Sequence, residues 1–156
     1  MEDGFAIFRS DSLLVAVRPQ AYRGSSRDVS SNFFSLYVMV RNISGVTVKL
    51  PSSGFSIVAS GRQFDYVPLD LILGSYQQNL ALEQWQDPFN SDPLLAEIRD
   101  KNIDAYYELM ASYFSFGDLQ PGASKDGYLF YDRAVGRAQG FVFDALGQPI
   151  AFTKGK

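Results

Sequence analysis

The chain contains no cysteine and no histidine in its 156 residues. Without cysteine there is neither a disulfide framework nor a thiol, so the sequence gives no direct redox evidence for a compartment. Without either residue, the usual ligands of zinc, copper and haem are missing, and neither a metal nor a cofactor is expected. The same absence removes Ser-His-Asp and Cys-His catalysis, because the base that shuttles the proton is not there. Carboxylate, lysine or tyrosine chemistry is what remains.

Other features are equally scarce. No apolar run reaches the roughly 18 residues that mark a membrane-crossing helix. Lysine and arginine are scattered singly, and a net charge of −3 with a pI near 4.8 argues against a nucleic-acid partner. The start, Met1-Glu2-Asp3-Gly4, is acidic and lacks the positive charge and apolar core of a signal peptide. Such a start fits a cytoplasmic protein, and it fits equally a chain whose signal segment was removed. There is no internal repeat and no low-complexity segment. The Asp-x-Asp-x-Asp-Gly loop is absent, so Asp126, Asp132 and Asp144 read as solvated turn carboxylates rather than calcium ligands.

What is present describes a globular chain, 46% hydrophobic and 20% charged. The length fits one domain covering 1–156, large enough to bury a core without a disulfide or metal. Its organising stretch runs from Asn32 to Ile43. Phe34, Leu36, Val38 and Val40 fall on one side of an extended chain, with Phe33, Ser35, Tyr37, Met39 and Arg41 on the other. This period of two with bulky β-formers predicts a central strand, buried on one face and half-covered on the other.

Around it, alternation recurs. Leu13, Val15 and Val17 alternate along a strand that Pro19 ends, and Val46 to Leu50 forms another. Phe55 to Val58 turns at Ala59-Ser60-Gly61-Arg62 into Gln63 to Val67, closed by Pro68. Strands return in Asp126–Asp132, Ala138–Asp144 and Pro149–Thr153. The Asn42-Ile43-Ser44 triplet matches a glycosylation sequon but reads better as a strand end. The whole predicts a mainly β chain, an immunoglobulin-like antiparallel β-sandwich of about eight strands.

Between Leu69 and Phe116 the alternation gives way to a helical period, predicting a helical insertion over 69–116. Asp92-Pro93 is a helix start, and Leu95, Ile98, Asn102, Tyr106, Leu109 and Tyr113 recur on one face. Gly117 is the expected stop, and Leu119-Gln120-Pro121-Gly122 the following turn.

The strand end Val38-Met39-Val40-Arg41-Asn42, the Phe55 hairpin with Gly61 at its tip, and Leu119-Gln120-Pro121-Gly122 leading into Gly127-Tyr128-Leu129-Phe130 form an order that is familiar. It resembles the telokin-like, immunoglobulin-type domains of bacterial secreted proteins and lipoproteins, most of unknown function. The resemblance covers the parts before Pro68 and after Leu119, and the helical segment between them departs from the pattern. It implies a location at the cell envelope, periplasmic or lipid-anchored, and a binding or structural role. A native start at Met1 would instead place the protein in the cytoplasm. The family carries no catalytic residues to transfer.

Two sets of candidate residues stand out. The aromatics Tyr76, Trp85, Phe89, Tyr106, Tyr107, Tyr113, Phe114 and Phe116 either line a groove for a peptide or glycan or pack the helix on the sheet. Tyr106 and Tyr113 share the apolar stripe with Leu109, which favours packing for them. Trp85, Tyr107, Tyr76 and Phe89 remain as binding candidates. The acids Asp65, Asp70, Glu83, Asp87, Glu97 and Glu108 offer material for a two-carboxylate hydrolase, but their spacing singles out no pair. The reading is therefore a non-catalytic binding or interaction module of the bacterial envelope, its partner another envelope protein, a peptide or a glycan. The alternatives are a small carboxylate-dependent hydrolase on a β scaffold and a structural subunit of a larger assembly. The last predicts Trp85 and Tyr107 on one exposed apolar patch.

Overall fold

Side-chain alternation decides the architecture, and it does so first in the strand at the centre. A computed structural model describes residues 4–23, 32–72 and 104–153. Strand β3, Phe33–Asn42, is flanked by β2, Leu13–Pro19, and β8, Ser124–Asp132, both antiparallel to it. Strand β1, Ala6–Arg9, completes a sheet of order β1-β2-β3-β8. A second sheet has the order β10-β9-β5-β6, from β5 (Phe55–Ala59), β6 (Arg62–Asp65), β9 (Gly140–Ala145) and β10 (Gln148–Thr153). A small ladder joins β4, Val48–Leu50, to β7, Gly117–Leu119. The expected antiparallel sandwich is present.

Leu36, Val38 and Val40 of β3 are completely buried, in register with Val17 and Val15 of β2. They share one core with Phe55 and Ile57 of β5 and Phe143 of β9, so the two sheets close over each other. Each such side chain contributes about 1.5–3 kcal/mol by leaving water. Tyr131 belongs to the same layer, and its hydroxyl donates to the carbonyl of Phe55 at 3.3 Å, joining the two sheets by a hydrogen bond. Phe34, at the end of the row, is half-buried and meets Phe141 edge-to-face at 5.2 Å.

The other face of β3 is covered at one end only. Tyr22, Ile72, Leu109 and Phe130 form a second core, against which Phe33, Tyr106, Tyr113 and Tyr128 pack. Residues 104–112 are helical, as are 69–72, and Leu109 points into this core as its place on the apolar stripe predicts. The helix stops at 112 instead of running to Phe116. Tyr113 bridges to Tyr128, and the Phe114 N–H donates to the Tyr128 carbonyl at 2.9 Å, so pairing along the β8 edge takes the backbone away from the helix. Gly127 permits this approach, since a Cβ there would lie 2.7 Å from the Phe114 nitrogen. Gly117–Leu119 then pairs with β4 where a stop and a turn were expected. Leu95, Ile98 and Asn102 of the expected helix lie outside the described residues.

Asn42 sits where these pieces meet. It is completely buried, and among the described residues only Ser35 is another buried polar side chain. Its Nδ2 donates to the carbonyls of Val46 at 2.7 Å and Leu119 at 2.9 Å. Its Oδ1 accepts from the Ser44 N–H and hydroxyl at 2.9 and 2.7 Å. Its backbone N–H donates to Ala123, and its carbonyl accepts from Gly122. The sequon nitrogen is therefore occupied, and the triplet is a strand end as its sequence context suggests. Asn42→Ala would strand the Leu119 carbonyl in a dry interior, which costs on the order of 3 kcal/mol. Urea unfolding of Asn42→Ala should show that loss, whereas Thr47→Ala, whose hydroxyl is exposed, should stay close to the parent.

Candidate functional site

Two tight hairpins and one short loop shape the best-defined cleft among the described residues. The β1–β2 turn is built by Ser10, whose Oγ accepts from the Leu13 N–H at 3.0 Å while its backbone N–H donates to the Leu13 carbonyl at 2.8 Å. The β9–β10 turn is Leu146-Gly147, with φ of 54° and 86°. A left-handed leucine is uncommon, and this turn type ordinarily takes Asn, Asp or Gly. Leu146 is held there because its side chain packs on the core and against Gly54, and its N–H donates to the Gly54 carbonyl at 2.7 Å. A side chain at Gly54 would collide with it, a Cβ meeting the Leu146 side chain at 2.4 Å.

Between these hairpins and the 48–56 segment opens a cleft of about 590 Å³, within the range of small-molecule and peptide sites. Phe8, Val15 and Leu146 give it apolar walls, and Ser12, Ser53, Ser56, Lys49 and Gln148 give it polar groups. Its single carboxylate, Asp144, accepts the Gly147 N–H at 2.8 Å. A second cleft of about 470 Å³ also holds one carboxylate, Asp65, beside Gln63, Tyr66 and Phe55. A third, of about 260 Å³, is apolar and lies beside Phe34, Phe141 and Phe152. Hydroxyls and amides above an aromatic wall can hold a neutral hydrogen-bonding ligand. Neither mixed cleft sets two carboxyls across from each other, the arrangement glycoside hydrolysis uses.

The residues expected from sequence are distributed differently. Trp85, Tyr76 and Phe89 lie outside the described residues, as do Glu83, Asp87 and Glu97. Tyr107 is 63% exposed and meets Tyr106 edge-to-face at 5.5 Å. Tyr113 and Phe114 are packing residues: Tyr113 stacks on Phe130 at 6.1 Å and donates to the Val67 carbonyl at 2.8 Å, and Phe114 is completely buried. Asp65, Asp70 and Glu108 are exposed. Asp126 accepts the Tyr37 hydroxyl, and Asp132 accepts the Ala134 N–H at 2.8 Å, so both carboxylates serve local turns and ladders. Among the described residues no group of three or more carboxylates is placed to hold a metal ion. The residues of the large cleft were read from sequence as strands and turns, and none as a site. Leucine in place of a turn former before Gly147 was the available signal.

Among the described residues no helix is long and apolar enough to cross a membrane. No family model matches the chain, and no curated protein matches it. Among solved structures, that of a candidate lipoprotein from Bacillus subtilis is similar at 12% identity and a TM-score of 0.47, over 99% of this chain and 39% of that one. This chain thus spans well under half the length of that protein. The match does not name a telokin-like domain.

Among the described residues the groups whose titration is displaced are tyrosines. The hydrogen bond to Asp126, helped by burial, pushes the Tyr37 pKa up to about 12. Burial lifts Tyr113 and Tyr131 well above the usual tyrosine range, with smaller contributions from Tyr66 and Asp70 on the first and Tyr113 and Asp65 on the second. A raised folded pKa favours the neutral form, so the stability it brings is whole below the unfolded value near 10 and is lost as pH climbs past it. Stability should therefore hold up to about pH 10 and then fall. In a phenolate absorbance titration Tyr37→Phe should remove one late-titrating group, and Tyr131 should ionise only with unfolding.

Proposed function

We propose that this chain is a non-catalytic binding module of a bacterial envelope, and that the 590 Å³ cleft is its ligand site. The observation carrying the reading is the make-up of that cleft. It combines Phe8 and aliphatic side chains, four serines, the Gln148 amide, the Lys49 ammonium and one carboxylate already engaged by a turn N–H. Such a lining offers several hydrogen bonds and apolar contact to a neutral ligand, the balance expected of a binding site. The absence of histidine and cysteine supports the same side, since it leaves no ordinary proton shuttle near neutral pH. The envelope location rests on the sequence resemblance described above.

Chitotetraose and a neutral, blocked tetrapeptide serve as probes of the two ligand classes. In an NMR titration at least one should give saturable shifts at Phe8, Ser12, Ser56 and Gln148. Ser53→Trp, an exposed position on the cleft wall, should weaken that binding more than ten-fold and leave the unfolding midpoint in place. A panel of chromogenic glycosides and esters should show no turnover. Turnover abolished by Asp144→Asn or Asp65→Asn would replace the binding reading with the hydrolase.

A further inference from the structure

Sheet edges carry unpaired backbone groups, and this molecule treats its edges unequally. The β8 edge is covered, because the Tyr128 and Phe130 carbonyls accept from the N–H groups of Phe114 and Val67. On β10 the hairpin register makes Ala145–Gln148 the closing pair, so Pro149 faces outward and offers no N–H, while Ala151 and Thr153 turn theirs outward with no arginine in the rows they head. The β6 edge faces out at Gln63 and Asp65, both exposed and polar.

Edge strand β1 differs. The Ser10 N–H donates to Leu13, which fixes Ser10–Leu13 as a bonded pair. Alternation along the antiparallel ladder then makes Arg9–Leu14 and Ile7–Ala16 non-bonded pairs. Ile7 and Arg9 consequently turn their N–H and C=O groups away from β2. Among the described residues nothing accepts from or donates to them. Beside this open edge lies an apolar row, Ile7–Ala16–Met39, in which Ile7 is 51% and Met39 42% exposed. The next row reads Arg9–Leu14–Arg41, while Arg18, on the same face two residues from Ala16, is engaged by the Gln20 side chain and the Phe5 ring. Asp126, opposite Met39, is the acid in these rows, and it is engaged by Tyr37. An acidic chain thus carries a locally cationic, partly apolar sheet face along an unprotected edge.

We propose that β1 is a strand-addition site for an extended acidic segment of a partner protein. The incoming strand pairs antiparallel with Ile7 and Arg9, setting a carboxylate opposite Arg9 and an apolar side chain opposite Ile7. Charge disfavours the obvious competitor, a second copy of the chain. Pairing β1 with β1 about a two-fold axis through Phe8 sets the two Arg9 side chains on one diagonal and adds a second Arg41 to the same face. Ile7 and Arg9 are not among the residues lining the cleft, although their neighbours Phe8 and Ser10 are, and the edge is defined by backbone pairing alone. This site therefore stands whether or not the cleft holds a ligand.

The probe is a blocked peptide, Glu-Thr-Val-Thr-Glu, compared with the same peptide carrying Lys for Glu. At millimolar acidic peptide, amide exchange at Ile7 and Arg9 should slow at least ten-fold, and the Lys peptide should bind at least ten-fold more weakly. Arg9→Glu leaves the backbone ladder intact and should reverse that preference. Ile7→Pro removes an outward N–H together with the Ile7 side chain while sparing the β1–β2 hydrogen bonds, and should abolish the protection at Arg9, whereas Ser53→Trp should not affect it. Equal binding of both peptides, or no slowing at Ile7 and Arg9, would overturn the proposal. A concentration-dependent dimer that Ile7→Pro dissolves would overturn it in favour of self-association.

Discussion

The side chain of Asn42 sets a constraint that the rest of the sandwich is arranged to meet. It is wholly buried in a part of the molecule where an unpaired polar atom would be expensive, and every donor and acceptor it has is used. Only a primary amide supplies two donors and an acceptor in so little space. Aspartate could accept from Ser44 but would face the Val46 and Leu119 carbonyls with negative charge. Those partners come from the loop before β4 and from Leu119 of β7, 77 residues away. One residue therefore fixes how the end of β3 and the loop that follows it meet a distant strand. The 48–56 wall of the cleft begins directly after this junction, so the site inherits its shape from it.

Two further devices extend that order outward. Tyr131 reaches across the core to the Phe55 carbonyl, and Gly127 lets the 113–114 backbone lie against β8. The second device covers one sheet edge with the polypeptide that leaves the helix at 112. It also explains why the outer face of the first sheet is dry at the Phe33–Phe130 end and wet at the Ile7–Met39 end. A sandwich that covers one edge and breaks another with a proline has left β1 open, with Arg9 and Arg41 in the row beside it.

How much of this was legible beforehand depends on whether a feature is local. Alternation at Leu36, Val38 and Val40 and at Leu13, Val15 and Val17 named the buried faces correctly, because a period of two is written into the residues themselves. Tyr106, Leu109 and Tyr113 were legible as a packing stripe for the same reason. Strand β7 was not, since Gly117-Asp118-Leu119 has no strand signature of its own and is extended only because β4 lies beside it. The cleft was illegible too. Its residues come from hairpin ends whose meeting depends on the packing of two sheets, and a serine in a turn looks the same whether or not a cavity lies behind it. Ser35 shows the limit within one strand: read as an outer-face residue, it is buried because Gln20 and the second core reach over it.

The chemistry of the interior bears on what kind of work such a scaffold can do. Its buried ionisable groups among the described residues are tyrosines, and burial or hydrogen bonding drives the affected ones further from neutrality, not toward it. At physiological pH Tyr113 and Tyr131 act as apolar rings with one donor each, fixed on the Val67 and Phe55 carbonyls. A tyrosine poised for proton transfer would need its neutral form disfavoured, by a nearby cation or by hydrogen bonds to the phenolate. Here burial and hydrogen bonds to Asp126 and to main-chain carbonyls hold the proton on, and outweigh the opposing charge of Arg18 near Tyr37. The tyrosine hydroxyls of the described interior are therefore arranged to hold shape.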